Sequence, residues 1–176
     1  MINRTQKLTV LAVLTAIVLS SAGYAGGVRT DKEQELLFSA ADGQQVAASS
    51  LKGRVVVLMF SGVQDPQCRD ELKALETLSE RYQAQPVSIY WVSINSTAEA
   101  GNDKLAKPCG VATSVRTLRL SDLNAFKRIR GRSNSLPTLV VLNKQNQPYG
   151  QPRSGFNPNS DFVNDVAELV DSLLSQ

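Results

Sequence analysis

The decapeptide Phe60-Ser61-Gly62-Val63-Gln64-Asp65-Pro66-Gln67-Cys68-Arg69 joins two segments of different periodicity. Ahead of it, Arg54-Val55-Val56-Val57-Leu58-Met59-Phe60 is apolar almost throughout, the pattern of a strand covered on both faces. Behind it, Leu72, Leu75, Leu78 and Tyr82 recur near helical spacing, which predicts a helix from Pro66 to about Ala84 with one inward stripe. Asp65-Pro66 is a competent start for that helix, an N-capping acid followed by proline at the first helical position. Pro86 stops it. A strand-to-helix turn of this kind suits a dithiol catalyst, which needs two sulfurs three positions apart, one to attack and one to resolve. Here the first of those positions holds Asp65, and only Cys68 remains.

Outward from this turn, the chain reads as alternating strands and helices. Glu35 to Phe38 is a first strand, Asp42-Gly43 a turn, and Gln44 to Val46 a short return strand. Val87 to Ile94 is a central strand carrying the only tryptophan, Trp91, read with Tyr90 as core and near-core aromatics. Ala98 to Leu105 is a short helix, and Lys107-Pro108-Cys109-Gly110 is a loop with a sulfur in it. Thr117 to Leu120 is a strand and Asp122 to Ile129 a helix closed by Arg130-Gly131. Leu136-Pro137-Thr138-Leu139-Val140-Val141-Leu142 is an apolar strand entered through proline, followed by a last strand near Tyr149–Gln151. Ser160 to Leu174 closes the chain as an amphipathic helix.

The first residues read as an export signal. Arg4 and Lys7 precede an apolar run from Leu8 to Leu19, and Ala22-Gly23-Tyr24-Ala25 supplies small residues for cleavage. The run falls short of the roughly 20 residues that span a bilayer. Residues 1–25 are therefore expected to be a signal peptide, 26–34 a linker and 35–176 one domain, with no membrane span after cleavage. The protein is expected to be exported, periplasmic if Gram-negative bacterial and otherwise secreted. Without Arg4 and Lys7 the formal charge of +3 falls to about +1, which leaves no nucleic-acid footprint. The chain contains no histidine, so Ser-His-Asp and Cys-His catalysis are excluded. Two cysteines without histidine fall short of a typical four-ligand metal site, and neither metal nor cofactor is expected.

Three stretches resemble the thioredoxin superfamily, in particular the TlpA-like and redoxin (AhpC-TSA-like) exported thiol–disulfide oxidoreductases. Phe38 to Gly53 is similar to the N-terminal hairpin of that branch. Val55 to Leu72 is similar to its active-site strand and helix, including the run Cys68-Arg69-Asp70-Glu71. Leu136-Pro137-Thr138 is similar to the family's cis-proline motif. The resemblance implies an α/β thioredoxin-like fold, with a central mixed sheet flanked by helices and an N-terminal β-hairpin extension.

It also implies that Asp65 replaces the nucleophilic cysteine, that Cys68 keeps the resolving position, and that a peptide-docking groove lies at Leu136, Pro137 and Thr138. Several roles for Cys68 stay open on the sequence. It is a buried free thiol, or a structural disulfide with Cys109, or half of a redox pair with Cys109 in a site that has lost its usual dithiol chemistry. A second reading is a non-catalytic module that holds a protein or peptide partner of the cell envelope at the Pro137 loop. A third comes from the peroxiredoxin pattern Pro-x-x-x-Thr-x-x-Cys, with Ser61 and Asp65 in place of the proline and threonine. Cys68 is then the peroxide-attacking sulfur and Cys109 the resolving one, although the Asp65 carboxylate opposes a thiolate beside it. Lys127, Arg128, Arg130 and Arg132 are read chiefly as solvated charges near a helix C-terminus.

Overall fold

The computed structural model describes residues 35–96, 98–99, 101–131 and 135–176. The expected signal peptide and linker, and Arg132, lie outside the described residues. Seven strands form one mixed sheet: β1 (Leu37–Ala40), β2 (Gln45–Ala47), β3 (Val55–Ser61), β4 (Val87–Ser93), β5 (Arg116–Leu120), β6 (Thr138–Leu142) and β7 (Arg153–Ser154). Their spatial order is β2-β1-β5-β4-β3-β6-β7. β3 runs parallel to β4, and β4 parallel to β5, while β6 runs antiparallel to β3. The helices are α1 (Cys68–Arg81), α2 (Asn102–Ala106), α3 (Leu123–Ile129) and α4 (Phe162–Leu174).

β3 is buried at every position because both of its faces are covered. Side chains alternate across a strand, so Val55, Val57 and Met59 join Leu72, Leu75, Leu78, Val166 and Val170 of α1 and α4 in one apolar layer. Val56, Leu58 and Phe60 join the opposite layer with Phe38 and Val46 of the hairpin and Phe126 of α3. The hairpin turns at Asp42-Gly43, where Gly43 adopts a φ of 84° that disfavours any side chain. β1 then pairs antiparallel with β5, extending the sheet beyond its parallel centre.

Several boundaries differ from expectation: β1 runs Leu37–Ala40 where Glu35 to Phe38 is expected, and α2 runs Asn102–Ala106 where Ala98 to Leu105 is expected. α1 begins at Cys68 and not at Asp65-Pro66, since residues 62–68 fold as successive turns closed by Asp65 N to Gly62 O (3.0 Å) and Cys68 N to Asp65 O (3.1 Å). The last strand lies at Arg153–Ser154 and not near Tyr149–Gln151. Pairing with β6 starts at a Leu142–Pro148 bridge and at Tyr149 N to Val141 O (2.8 Å). It breaks at Gly150, whose φ of 70° leaves extended geometry, and resumes at Arg153. Among the described residues, no helix is long and apolar enough to cross a membrane.

Candidate active site

The carboxyl end of β3 places the turn at residues 62–67 beside the start of β6. Phe60 pairs with Thr138, so Pro137 stands one residue beyond that pair, at the same end of the sheet. The Leu136–Pro137 peptide is cis, Thr138 is buried, and the Pro137 carbonyl accepts a hydrogen bond from Gly155 N (2.8 Å). The turn itself is tied to β4 through Asn95, whose Oδ1 accepts from Val63 N (2.9 Å).

Asp65 does not cap α1. Its Oδ1 accepts from Gln67 N (2.9 Å), a local Asx turn, and Gln67 is the N-cap residue without a side-chain cap bond. The physical reason is spacing: the carboxylate closes the turn before the helix and is spent two residues too early to reach α1.

Cys68, the first residue of α1, is fully buried and forms a disulfide with Cys109 at a Cα–Cα separation of 6.0 Å, within the ordinary range for such a bond. Cys109 occupies a single 3-10 turn, Pro108–Gly110, and adopts a left-handed φ of 57°. The following Gly110 continues at φ 73°. Arg69 Nε donates to the Cys109 carbonyl (3.4 Å), so the turn is held to α1 on both sides of the bond.

One element of the site carries chemistry that reading the sequence for sulfur alone passes over. Glu71, one turn beyond Cys68, is fully buried between α1 and the sheet. Its Oε1 accepts from Ser61 Oγ (3.2 Å) and its Oε2 from Trp91 Nε1 (3.1 Å). Burial pushes its pKa from 4.5 up to about 7, against the pull of the Trp91 and Ser61 hydrogen bonds, and the Asp65 charge adds to the rise. Trp91 is thus more than a core aromatic. The signal was present in the stripe: Glu71 falls on the same inward face as Cys68, Leu72 and Leu75, where a carboxyl without a partner would be costly.

Beside the disulfide the surface opens into a pocket of about 350 Å³, lined by Cys109 with Val63, Gln64, Asp103, Lys104 and Lys107. Cys68 does not line it. In the basic group at the end of α3, Arg128 reaches Asp122 (3.9 Å), and Arg130 lies over the Phe126 ring, 5.6 Å from its centre. Among the described residues, no group of three or more His, Cys, Asp or Glu is placed to hold a metal ion.

This sheet, with a strand-turn-helix site facing a proline-led strand, defines a thioredoxin-like protein. The AhpC/TSA family profile matches residues 30–126, more than half of the chain, and the chain belongs to that family. A search of curated sequences found no match. Solved structures similar to it include one assigned as a thiol:disulfide interchange protein, DsbE, from Chlorobium tepidum (TM-score 0.65, 18% identity, covering 82% of this chain and 96% of that one). Another is assigned as a thiol-disulfide oxidoreductase from Bacteroides vulgatus (0.63, 18%, 80% and 92%). A third is the exposed lipoprotein thioredoxin Etrx1 of Streptococcus pneumoniae (0.64, 17%, 79% and 99%). At these identities the likeness is one of fold.

Proposed function

We propose that this protein carries out thiol–disulfide exchange through the Cys68–Cys109 pair, in a site where Asp65 has taken the place of the usual attacking cysteine. The observation that carries the reading is the disulfide itself, which links the resolving position to a cysteine from a separate loop. Glu71 is a positioning residue in this scheme. It lies on the same face of α1 three residues on, and a buried carboxyl with a pKa of about 7 supplies or holds a proton as the Cys68 sulfur changes charge. The groove at Leu136, Pro137 and Thr138 is proposed to seat an extended segment of the partner protein. Export of the chain, with residues 1–25 as the leader, fits a disulfide that an oxidising compartment keeps formed.

The test is a titration with dithiothreitol under native conditions, with thiols counted by mass spectrometry. Two thiols should appear together and be lost together on reoxidation, with the fold retained. A bond that survives excess dithiol in the folded protein would sink the proposal. It would favour the reading as a binding module, for which the complete burial of Cys68 is the supporting observation. The peroxide-attacking reading has less support, because Asp65 closes the turn with a carboxylate where that chemistry uses a hydroxyl.

A further inference from the structure

The two sulfurs of the disulfide differ in access, and exchange chemistry is sensitive to which sulfur is attacked. A thiolate attacks one sulfur in line as the other leaves, so the approach must be open on the attacked side. Cys68 is fully buried at the start of α1. Cys109 is only partly buried and forms part of the wall of the 350 Å³ pocket. Exposed Lys104 and Lys107 line the same pocket, and Asp103 is the single carboxylate in that lining. Arg69 adds a third cation at the Cys109 carbonyl. The lining is otherwise Val63, Gln64 and Gly110, which leaves room against the sulfur for a small side chain.

We propose that Cys109 is the sulfur at which partners exchange, with Cys68 as the leaving and resolving sulfur. The pocket beside Cys109 takes the cysteine of an extended peptide segment that carries Asp or Glu next to it. The inference rests on the reading of the pair as redox-active, and it reverses the order expected at a strand-to-helix turn, where the exposed sulfur is the one before the helix. In the first step the partner thiolate bonds to Cys109 Sγ and the Cys68–Cys109 bond breaks. The electron pair stays on Cys68 Sγ, which takes up one proton. A second thiol of the partner then attacks the partner's own sulfur and releases Cys109. The partner leaves as a disulfide, oxidised by two electrons, and the protein keeps two thiols. The reverse sequence, from reduced Cys109 and a partner disulfide, uses the same contacts. The cations favour both the incoming carboxylates and the negative charge that passes over the sulfurs.

The experiment uses the oxidised full chain and single-cysteine peptides with flanking Glu, Ser or Lys, quenched with an alkylating agent and mapped by mass spectrometry. The mixed disulfide is expected on Cys109. The Glu peptide should react about fivefold or more faster than the Lys peptide at low salt, and the gap should close as salt is raised. Lys104→Glu with Lys107→Glu should reverse the preference, with the circular dichroism spectrum of the folded protein unchanged. A mixed disulfide on Cys68, or equal rates for the Glu and Lys peptides, overturns this inference and leaves the redox reading in place. Glutathione reacting as fast as the Glu peptide overturns the peptide assignment and makes the occupant a small acidic thiol. A disulfide inert to every thiol in the folded protein overturns both.

Discussion

Glu71 is the residue whose surroundings make the sharpest demands. Its pKa is raised from 4.5 to about 7, so the folded state holds a proton that the unfolded chain has released over that interval. The contribution of this group to stability is therefore full below about pH 4.5 and is lost as pH rises through about 7. The loss is on the order of 3 kcal/mol. Glu71→Gln should flatten that part of the stability profile, and urea unfolding between pH 4.5 and 8 checks it. The same carboxyl accepts from the only indole in the chain, so the emission of Trp91 should titrate with a midpoint near 7 in the native protein. Glu71→Gln should abolish that titration. Asp65→Asn should move its midpoint down, because the Asp65 charge helps to keep Glu71 protonated. Cys68, Asp65 and Pro137 stand out in the sequence because their residue types are rare or distinctive at such turns. Glu71 shows in the sequence as the end of the Cys68–Glu71 run and as a charge in an apolar stripe, while its partners Ser61 and Trp91 lie 10 and 20 residues away.

At the scale of elements, α1 is held by its apolar stripe and by polar links to α4, among them the Arg81–Asp171 ion pair (3.2 Å). Tyr82, just past its end, donates its hydroxyl toward Asp171 Oδ1 (2.8 Å) and the Ala167 carbonyl (3.1 Å). Burial and the Asp171 carboxylate push its pKa up to about 12, so it remains a donor throughout the ordinary pH range. Tyr82→Phe should cost about 1 kcal/mol, read as a lower urea midpoint with unchanged slope. The turn before α1 offers a different test. Asp65→Cys would put a sulfur three residues ahead of Cys68, in competition with Cys109, and peptide mapping should then find two disulfide species in place of one. A Cys68–Cys109 bond left as the single species would mean that the turn closed by Asp65 keeps position 65 out of reach. The helix starts two residues later than the Asp-Pro pair suggests. An Asp-Pro pair signals both a helix cap and a tight turn, and the two differ only in which amide the carboxylate finally meets.

For the whole molecule, the disulfide encloses β4, α2 and nearly all of α1, with a sequence separation of 41 residues. In the chain-entropy view such a crosslink stabilises by about 4 kcal/mol. Cys109→Ser should therefore lower Tm by on the order of 10 °C while the secondary structure is kept, because the two apolar layers on either side of β3 do not depend on the sulfur. Circular dichroism melts of the variant and the oxidised parent check this. A variant that failed to fold would place the bond among the determinants of the fold.

The amino-acid sequence by itself determined the elements around the site, and their resemblance to a known family implied the thioredoxin-like architecture. The apolar run of β3, the helical stripe of α1 and the proline before β6 are local patterns, and each favours one element whatever surrounds it. The tertiary structure decided what the site contains. A disulfide, a buried acid bonded to a distant indole, and a pocket walled by Cys109 and two lysines all join positions far apart in the chain. No local periodicity records such distances, because burial and proximity exist only once the layers have packed.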